Sequence, residues 1–365
     1  MVRYIRFPYL RAVGVSSLKF EDVADSIRLF KVMKRMEQAK ILVLAHRERK
    51  TCVFAKDLQK CIDAVKDIFG TEVVRMDKER FLDEYYANAP SDEAEKVADM
   101  WIKEAMKVVE PTKEQIITVA KIYLAMKKAM KDVGAEVITT DIMGHYYHKL
   151  PPNGFKAYWP NRDPMNRGTY RGLPEFPCLA FAQLDAEGLR GVCEFDLDAS
   201  VTSLLVKYLA EETLGYPIPG FTSEPIFDFG NGWAIYCHCK ATFKPLGPKA
   251  PKNPFMIRSH GESGVSVSVQ SFLPLNRKVT VARVDLLNKT LRIHQGIAVA
   301  NTETITAERA CRTKLAIKTN LETLFNNYYK GTSDWHRTVF YGDWREPLIA
   351  LATLYGLDVF EEDKP

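Results

Sequence analysis

The sequence predicts an α/β fold: a layered, doubly wound domain on a largely parallel sheet, then a β-rich, barrel-like C-terminal domain. Three observations predict it. As far as Gly215, short apolar strand segments alternate with amphipathic helical ones. After Gly215 the texture changes to alternating and β-branched runs. At 365 residues the chain is long enough for two cores. The expected domains are 1–215 (α/β) and 216–365 (β-rich, with a terminal helix).

The elements follow in order. Residues 22–38, "DVADSIRLFKVMKRMEQ", have the period of an amphipathic helix, and "KILVLAH" (40–46) is a short apolar strand. "AKDLQKCIDAVKDIFG" (55–70) is helical and stops at a glycine. "TEVVRMD" (71–77) is the second strand. A long helical region spans about 91–134; Thr112 caps its clearest helix and Gly134 ends it. "AEVITTD" (135–141) is the third strand. Residues 150–177 are broken up by proline and glycine, the texture of a binding loop. "CLAFAQLDAEGLRGVCEFDLD" reads as strand, turn, strand, and "SVTSLLVKYLAEETLG" (200–215) as a helix. "WAIYCHCKATF", "VSVSVQSFL", "KVTVARVDLLNKTLRIHQGIAVA" and "RACRTKLAIKTN" supply the strands of the second domain. "WREPLIALATLYG" supplies its final helix.

Composition excludes several classes. Apolar residues make up 46% and charged residues 27%, which is ordinary for a globular chain. The net charge of +5 is spread rather than gathered in a stripe, so nucleic acid is not the expected partner. No apolar run approaches the ~18 residues of a membrane span. "MVRYIRFPYL" has no apolar core or cleavage site, so no signal peptide is expected. Seven cysteines without framework spacing fit reduced thiols in a cytoplasm. No GxGxxG follows the first strand, no serine sits in a GxSxG elbow, and "CHC" (237–239) lacks a second pair at zinc spacing.

Candidate chemistry centres on "GVCEFDLDAS" (191–200), where Glu194, Asp196 and Asp198 stand at every second position. In a strand they would share a face. Glu194 follows an apolar strand, where open sheets gather ligands, although the stretch by itself fits a solvated acid on a strand edge better. Asp198, or Ser200, can cap the following helix. Glu224 and Asp228 lie in a turn-rich acidic loop near the domain change, where clefts form. His238 is either a core histidine or a site residue. His260 and Glu262 share a glycine-flanked turn, and His336 stands at the mouth of a strand. Carboxylate plus imidazole donors suit Mn, Mg, Co or Fe better than a thiolate-type zinc site.

Four stretches, in order, carry a resemblance: "PCLAFAQLDAEGLRGVCEFDLDASVTSLLVKYL", "PGFTSEPIFDFGNGWAIYCHC", "IRSHGESGVSVSVQ" and "SDWHRTVFYGDWREPLIALATLYGLDVF". The chain resembles the L-fucose isomerase family, relatives of L-arabinose isomerase, from about residue 20 and most densely over 177–350. The resemblance implies a metal-dependent aldose–ketose isomerase working through a cis-enediolate, with a divalent metal, Mn2+ first and Mg2+ or Co2+ as alternatives. It implies Glu194 and Glu224 as catalytic carboxylates and Glu194, Glu224 and His336 as metal ligands. It places His238, His260, Glu262, Trp159 and Asn161 against the sugar. It also implies a cytoplasmic homo-oligomer, a trimer or hexamer.

The sequence departs from the family pattern in three places. Glu224 stands where aspartate is usual. The usual N-terminal domain is expected to be reduced to the first 20–30 residues, or supplied by a second subunit. In "AYWPNRDP", Asn161 takes an acidic place. These departures keep other readings open: an epimerase or lyase using the same metal-stabilised enediolate, or a non-catalytic sugar-binding subunit.

Overall fold

Arg3–Arg6 (β1) and Val13–Ser16 (β2) pair antiparallel at the start of the computed structural model. It describes residues 3–6, 13–16, 20–46, 57–140, 173–261, 264–302, 311–332 and 334–365. The alternating region then runs Phe20–Gln38 (α1), Lys40–Ala45 (β3), Leu58–Phe69 (α2) and Glu72–Asp77 (β4). Lys78–Arg80 (α3) passes directly into a π-helical turn, Phe81–Tyr86. Ser91–Glu104 (α4), Lys107–Val108 (β5), Lys113–Val133 (α5) and Val137–Thr140 (β6) follow. Cys178–Ala186 (α6), Arg190–Val192 (β7) and Leu197–Leu214 (α7) complete it.

Strands β4, β3, β6 and β7 form, in that order, a fully parallel sheet. Both faces are covered, which is why "KILVLA" is apolar without alternation. Ile41, Val43 and Ala45 join α1, α2 and α7 in one core. Leu42 and Leu44 join α4, α5 and α6 in the other. Local signals set the ends. Asp57 caps α2 through the N–H groups of Gln59 and Lys60, and Gly70 ends it at φ 73°. Thr112 and Gln115 form a reciprocal capping box on α5, which stops at Gly134.

The helical region expected over 91–134 holds two helices, separated by β5 and by Pro111, whose ring disfavours a helical residue before it, and the second has the caps expected of it at Thr112 and Gly134. Two expectations are corrected here. Residues 178–186 form a helix, not a strand. All nine are buried, Gln183 and Asp185 included, so the segment has no solvent-facing polar side to mark a 3.6-residue period. The helix expected over 200–215 begins at Leu197 with Asp196 as its cap, accepting from the Ala199 N–H, so neither Asp198 nor Ser200 caps it.

The second half is a closed barrel. Gly220–Asp228 (β8), Trp233–His238 (β9), Arg277–Asp285 (β12), Thr290–Asn301 (β13), Thr313–Lys318 (β14) and Arg337–Tyr341 (β15) are its six strands. Phe255–Arg258 (β10) and Ser268–Ser271 (β11) lie outside it, in a three-stranded sheet with β5. The barrel order is β12-β15-β8-β9-β14-β13, and β13 closes on β12, all antiparallel. Leu321–Asn327 (α8), Arg345–Tyr355 (α9) and Asp358–Glu361 (β16) complete the chain, with β16 parallel to β13. Val279, Val281, Tyr236 and Leu315 fill the barrel core. The intervening Ala282 and Val284 face outward, into the same core as β3 and α7. α7 is therefore sandwiched between sheet and barrel and buried at thirteen of its first fourteen residues. That packing brings the end of β7 against one end of the barrel. No helix among the described residues is long and apolar enough to cross a membrane.

Candidate metal centre

β7 stops at Val192, and the next turn breaks the expected alternation. Glu194 and Phe195 both adopt left-handed backbone, φ 64° and 60°. Two consecutive non-glycine residues there cost ~1–3 kcal/mol each. Burial of the Phe195 ring in the α1–α2–α7 core helps to hold the turn. The three acids of "EFDLD" therefore share no strand face. Glu194 stands in the turn at the carboxyl end of a parallel strand, Asp196 caps α7, and Asp198 lies in the first helical turn.

The barrel supplies the remaining groups from three neighbouring strands. Ser223 pairs with Arg337, so Glu224 on β8 and His336 before β15 come level. Glu224 pairs with Cys237, which brings His238 on β9 to the same end. His336 Nε2 lies 3.2 Å from Glu194 Oε2 and 3.5 Å from Glu224 Oε2. Glu194, His238 and His336 each present one donor atom, and the three atoms lie within 4.8 Å of one another. This cluster can hold a metal ion. His336 is buried, whereas Glu194 and Glu224 keep 24% and 31% of their side-chain surface exposed, so a solute can reach the carboxylates from outside.

His336 is oriented from behind. Its Nδ1 is 3.3 Å from Asp196 Oδ2, and its backbone N–H donates to Asp334 Oδ1 at 2.8 Å. Asp196 is held in turn by Arg283, whose Nη1 reaches Oδ2 at 2.9 Å. The same guanidinium pairs with Asp198 at 2.8 Å and with Asp334. Arg283 was not singled out from the sequence. Its signal was present in "VTVAR": an arginine in phase with Val279 and Val281, where the barrel core calls for an apolar residue.

The charges shape each group. Burial pushes the Glu194 carboxyl up, with Glu224 adding to the rise and His336 and His238 opposing it. Burial would also raise Glu224, but His336 and His238 outweigh it and hold it below its ordinary value. Asp196 is likewise buried, yet Arg283 and His336 hold it well below the carboxylate range. His336 lies well above the ordinary histidine value: burial disfavours its charge, and Glu194, Asp196 and Glu224 more than offset that. His238 is pushed up to about 9 by Cys193, Glu194 and Glu224 against the effect of burial.

A divalent cation fits this donor set. Glu194, His238 and His336 bring one carboxylate and two imidazoles together, and the second nitrogen of His336 rests on the Asp196 carboxylate, as in carboxylate–histidine–metal arrangements. His238 Nε2 is buried and meets no hydrogen-bond partner among the described residues. The other sequence candidates fall elsewhere. His260 is buried in the turn after β10, stacked on Phe176 at 4.4 Å and beside the Cys239 thiol. Asp228 caps the β8–β9 turn through Asn231. Trp159, Asn161 and Glu262 lie outside the described residues. Comparison with protein-family models and with curated proteins returns no match.

Proposed function

We propose that this chain is a divalent-metal-dependent aldose–ketose isomerase of the L-fucose isomerase type, acting on an open-chain sugar. The observation that carries the proposal is the placement of His336 Nε2 between two carboxylate oxygens, 3.2 Å from Glu194 and 3.5 Å from Glu224, at the end of a parallel strand. Glu194, Glu224 and His336 would hold the cation; Mn2+ is the first choice, with Mg2+ and Co2+ as alternatives. When bound, a divalent cation supplies Lewis acidity that polarises a carbonyl and steadies developing negative charge on oxygen.

The chain supplies the rest. Isomerisation moves one proton between C1 and C2 and another between the two oxygens. Two carboxylates within reach of one bound sugar divide that work: one accepts the carbon-bound proton, and the other relays the hydroxyl proton. Glu194 and Glu224 are open to solute on one side and backed by buried histidines on the other, as such a relay requires. Asp196 and Arg283 keep the His336 ring fixed while the substrate changes charge.

The test is incubation with Mn2+ and a panel of aldoses in D2O. The expected result is deuterium at C2 of recovered aldose, or at C1 of ketose, lost in Glu194→Gln. Absence of exchange with every sugar, together with no Mn2+ bound by the purified protein, would overturn the proposal. Exchange at C2 with inversion and no ketose would replace it with an epimerase.

A further inference from the structure

Four thiols that the isomerase chemistry does not use lie beside the metal centre. Cys178 opens α6, Cys193 follows β7, Cys239 follows β9 and Cys311 precedes β14, and all four are buried in one core. They are in contact as two pairs, Cys178 with Cys193 and Cys239 with Cys311. A cysteine in a core is ordinarily a small apolar residue. Two in contact are also a dithiol, which can give up two electrons and become a disulfide.

The Cys239–Cys311 pair is the one with an approach. β9 ends at His238 and β14 begins at Thr313, and these two residues pair, so both cysteines stand just beyond one end of a single antiparallel strand pair. Neighbouring strands run ~4.8 Å apart, within the ~7 Å Cα separation that a disulfide can span. The Cys239 thiol is enclosed and also touches the His260 imidazole. Cys311 Sγ lies 3.8 Å from Glu224 Oε1, to which its S–H donates. Glu224 keeps 31% of its side chain exposed, so a small solute that reaches this carboxylate meets the Cys311 sulfur next. In the other pair Cys178 is wholly enclosed, and the Cys193 thiol bonds the buried His238.

We propose that Cys239 and Cys311 are a redox modification site: hydrogen peroxide joins them in a disulfide that disturbs Glu224 and weakens the metal centre until a thiol reductant reopens it. The Cys311 sulfur attacks one peroxide oxygen, the O–O bond breaks, and Cys311 becomes a sulfenic acid as one water leaves. The Cys239 sulfur then attacks the sulfenic sulfur, the S–S bond forms, and a second water leaves. Both thiol hydrogens and two electrons end on the peroxide oxygens. Glu224 thereby loses the S–H donor on Oε1. The two sulfurs close from contact to about 2.05 Å, drawing the start of β14 toward the end of β9, where His238 stands. Groups that hold a metal ligand from behind are worth roughly 10–100-fold in affinity. The disulfide itself needs neither metal nor substrate; its effect rests on the metal-dependent reading.

The test uses the full-length protein, reduced, then treated with hydrogen peroxide and freed of it, beside Cys311→Ser and Cys178→Ser. Peptide mapping without reductant should join Cys239 to Cys311 in the oxidised wild type, and dithiothreitol should separate them. Mn2+ affinity, read by electron paramagnetic resonance, should fall roughly tenfold or more on oxidation and return on reduction. In Cys311→Ser the hydroxyl still donates to Glu224 but cannot be bridged, so peroxide should leave its Mn2+ affinity unchanged. Cys178→Ser should respond as the wild type does. No bridge, a bridge between Cys178 and Cys193 instead, or a Cys239–Cys311 bridge that leaves Mn2+ affinity unchanged would overturn the proposal. Failure of the reduced wild type to bind Mn2+ would overturn the metal-dependent reading and the switch together, and the reduced sample alone tells that outcome from the others.

Discussion

Asp196 Oδ2 lies 3.3 Å from His336 Nδ1 and 2.9 Å from Arg283 Nη1, while Oδ1 of the same residue caps helix α7 at the Ala199 N–H. One carboxylate thereby joins the helix behind the parallel sheet, the barrel strand β12 and the imidazole of the metal centre. Asp196→Asn separates these duties. Asparagine caps a helix as well as aspartate does, but its amide offers one acceptor oxygen and no charge. Divalent-metal affinity should fall roughly 10–100-fold, the usual consequence of losing a carboxylate behind a metal-bound histidine. Titration with Mn2+ checks this, with far-UV circular dichroism showing α7 retained. Unchanged affinity would mean that Asp196 serves only the helix and Arg283.

Glu194 and Glu224 have different tolerances. Glu194→Gln keeps the shape of the turn but removes the charge, so solvent exchange into any sugar should disappear while the fold persists. Glu224→Asp keeps the charge and withdraws it by one methylene, away from a His336 Nε2 that is already 3.5 Å distant. A displacement of about 1 Å in a reacting group can cost roughly a hundredfold in rate. Exchange rates of the two variants under saturating Mn2+ make the comparison. Higher activity in Glu224→Asp would show that the barrel end is built for the shorter acid.

How much of this was legible in the sequence depended on the range of the forces involved. "KILVLA" between helical segments announced a strand covered on both faces, and Thr112, Gln115 and Gly134 marked the ends of α5 by chemistry within a single turn. The run 178–186 reads as a strand because a helix buried on every side has no solvent-facing polar side to set its period. The start of the helix after Glu194 is ambiguous in the sequence because Asp196, Asp198 and Ser200 are all competent caps, and the Arg283 pairings that divide the two aspartates' roles come from 85 and 87 residues downstream. Glu194 and His336 stood out individually, by position after and before a strand. That Glu224, His238 and His336 meet follows from the register of β15, β8 and β9, a non-local pairing that no short stretch encodes.

Metal binding should also be visible as stability. A cation that binds the folded chain and not the unfolded one contributes ~2.7 kcal/mol when present at 100 times its dissociation constant. Mn2+ should therefore raise the unfolding midpoint, a chelator should reverse the rise, and Glu194→Gln and His336→Asn should show little of it. Differential scanning calorimetry with and without Mn2+ measures the effect. A rise of equal size in wild type and His336→Asn would place the ion at another site.

Inside the barrel a second ionic network sets the acid limit of the fold. Glu362 is fully buried, with Arg337 Nη2 at 2.6 Å, His294 Nδ1 at 2.9 Å and Arg292 Nη1 at 3.6 Å; His294 Nε2 continues to Tyr236 at 2.5 Å. Burial would raise its carboxyl, but Arg337 and His294 hold it at about 2 against an ordinary 4.5. The folded value is the depressed one, so the unfolded chain binds the proton more readily. The stabilisation is present in full above about pH 5 and is lost as the pH falls toward 2. Its size is roughly 3 kcal/mol at neutral pH. Glu362→Gln should destabilise the protein by ~3–5 kcal/mol at pH 7, because Arg337 is left buried without its carboxylate. The gap between wild type and variant should narrow steadily from pH 5 downward. Urea unfolding of both proteins from pH 7 to pH 3 measures that gap, and a gap independent of pH would show that Glu362 contributes through packing rather than charge.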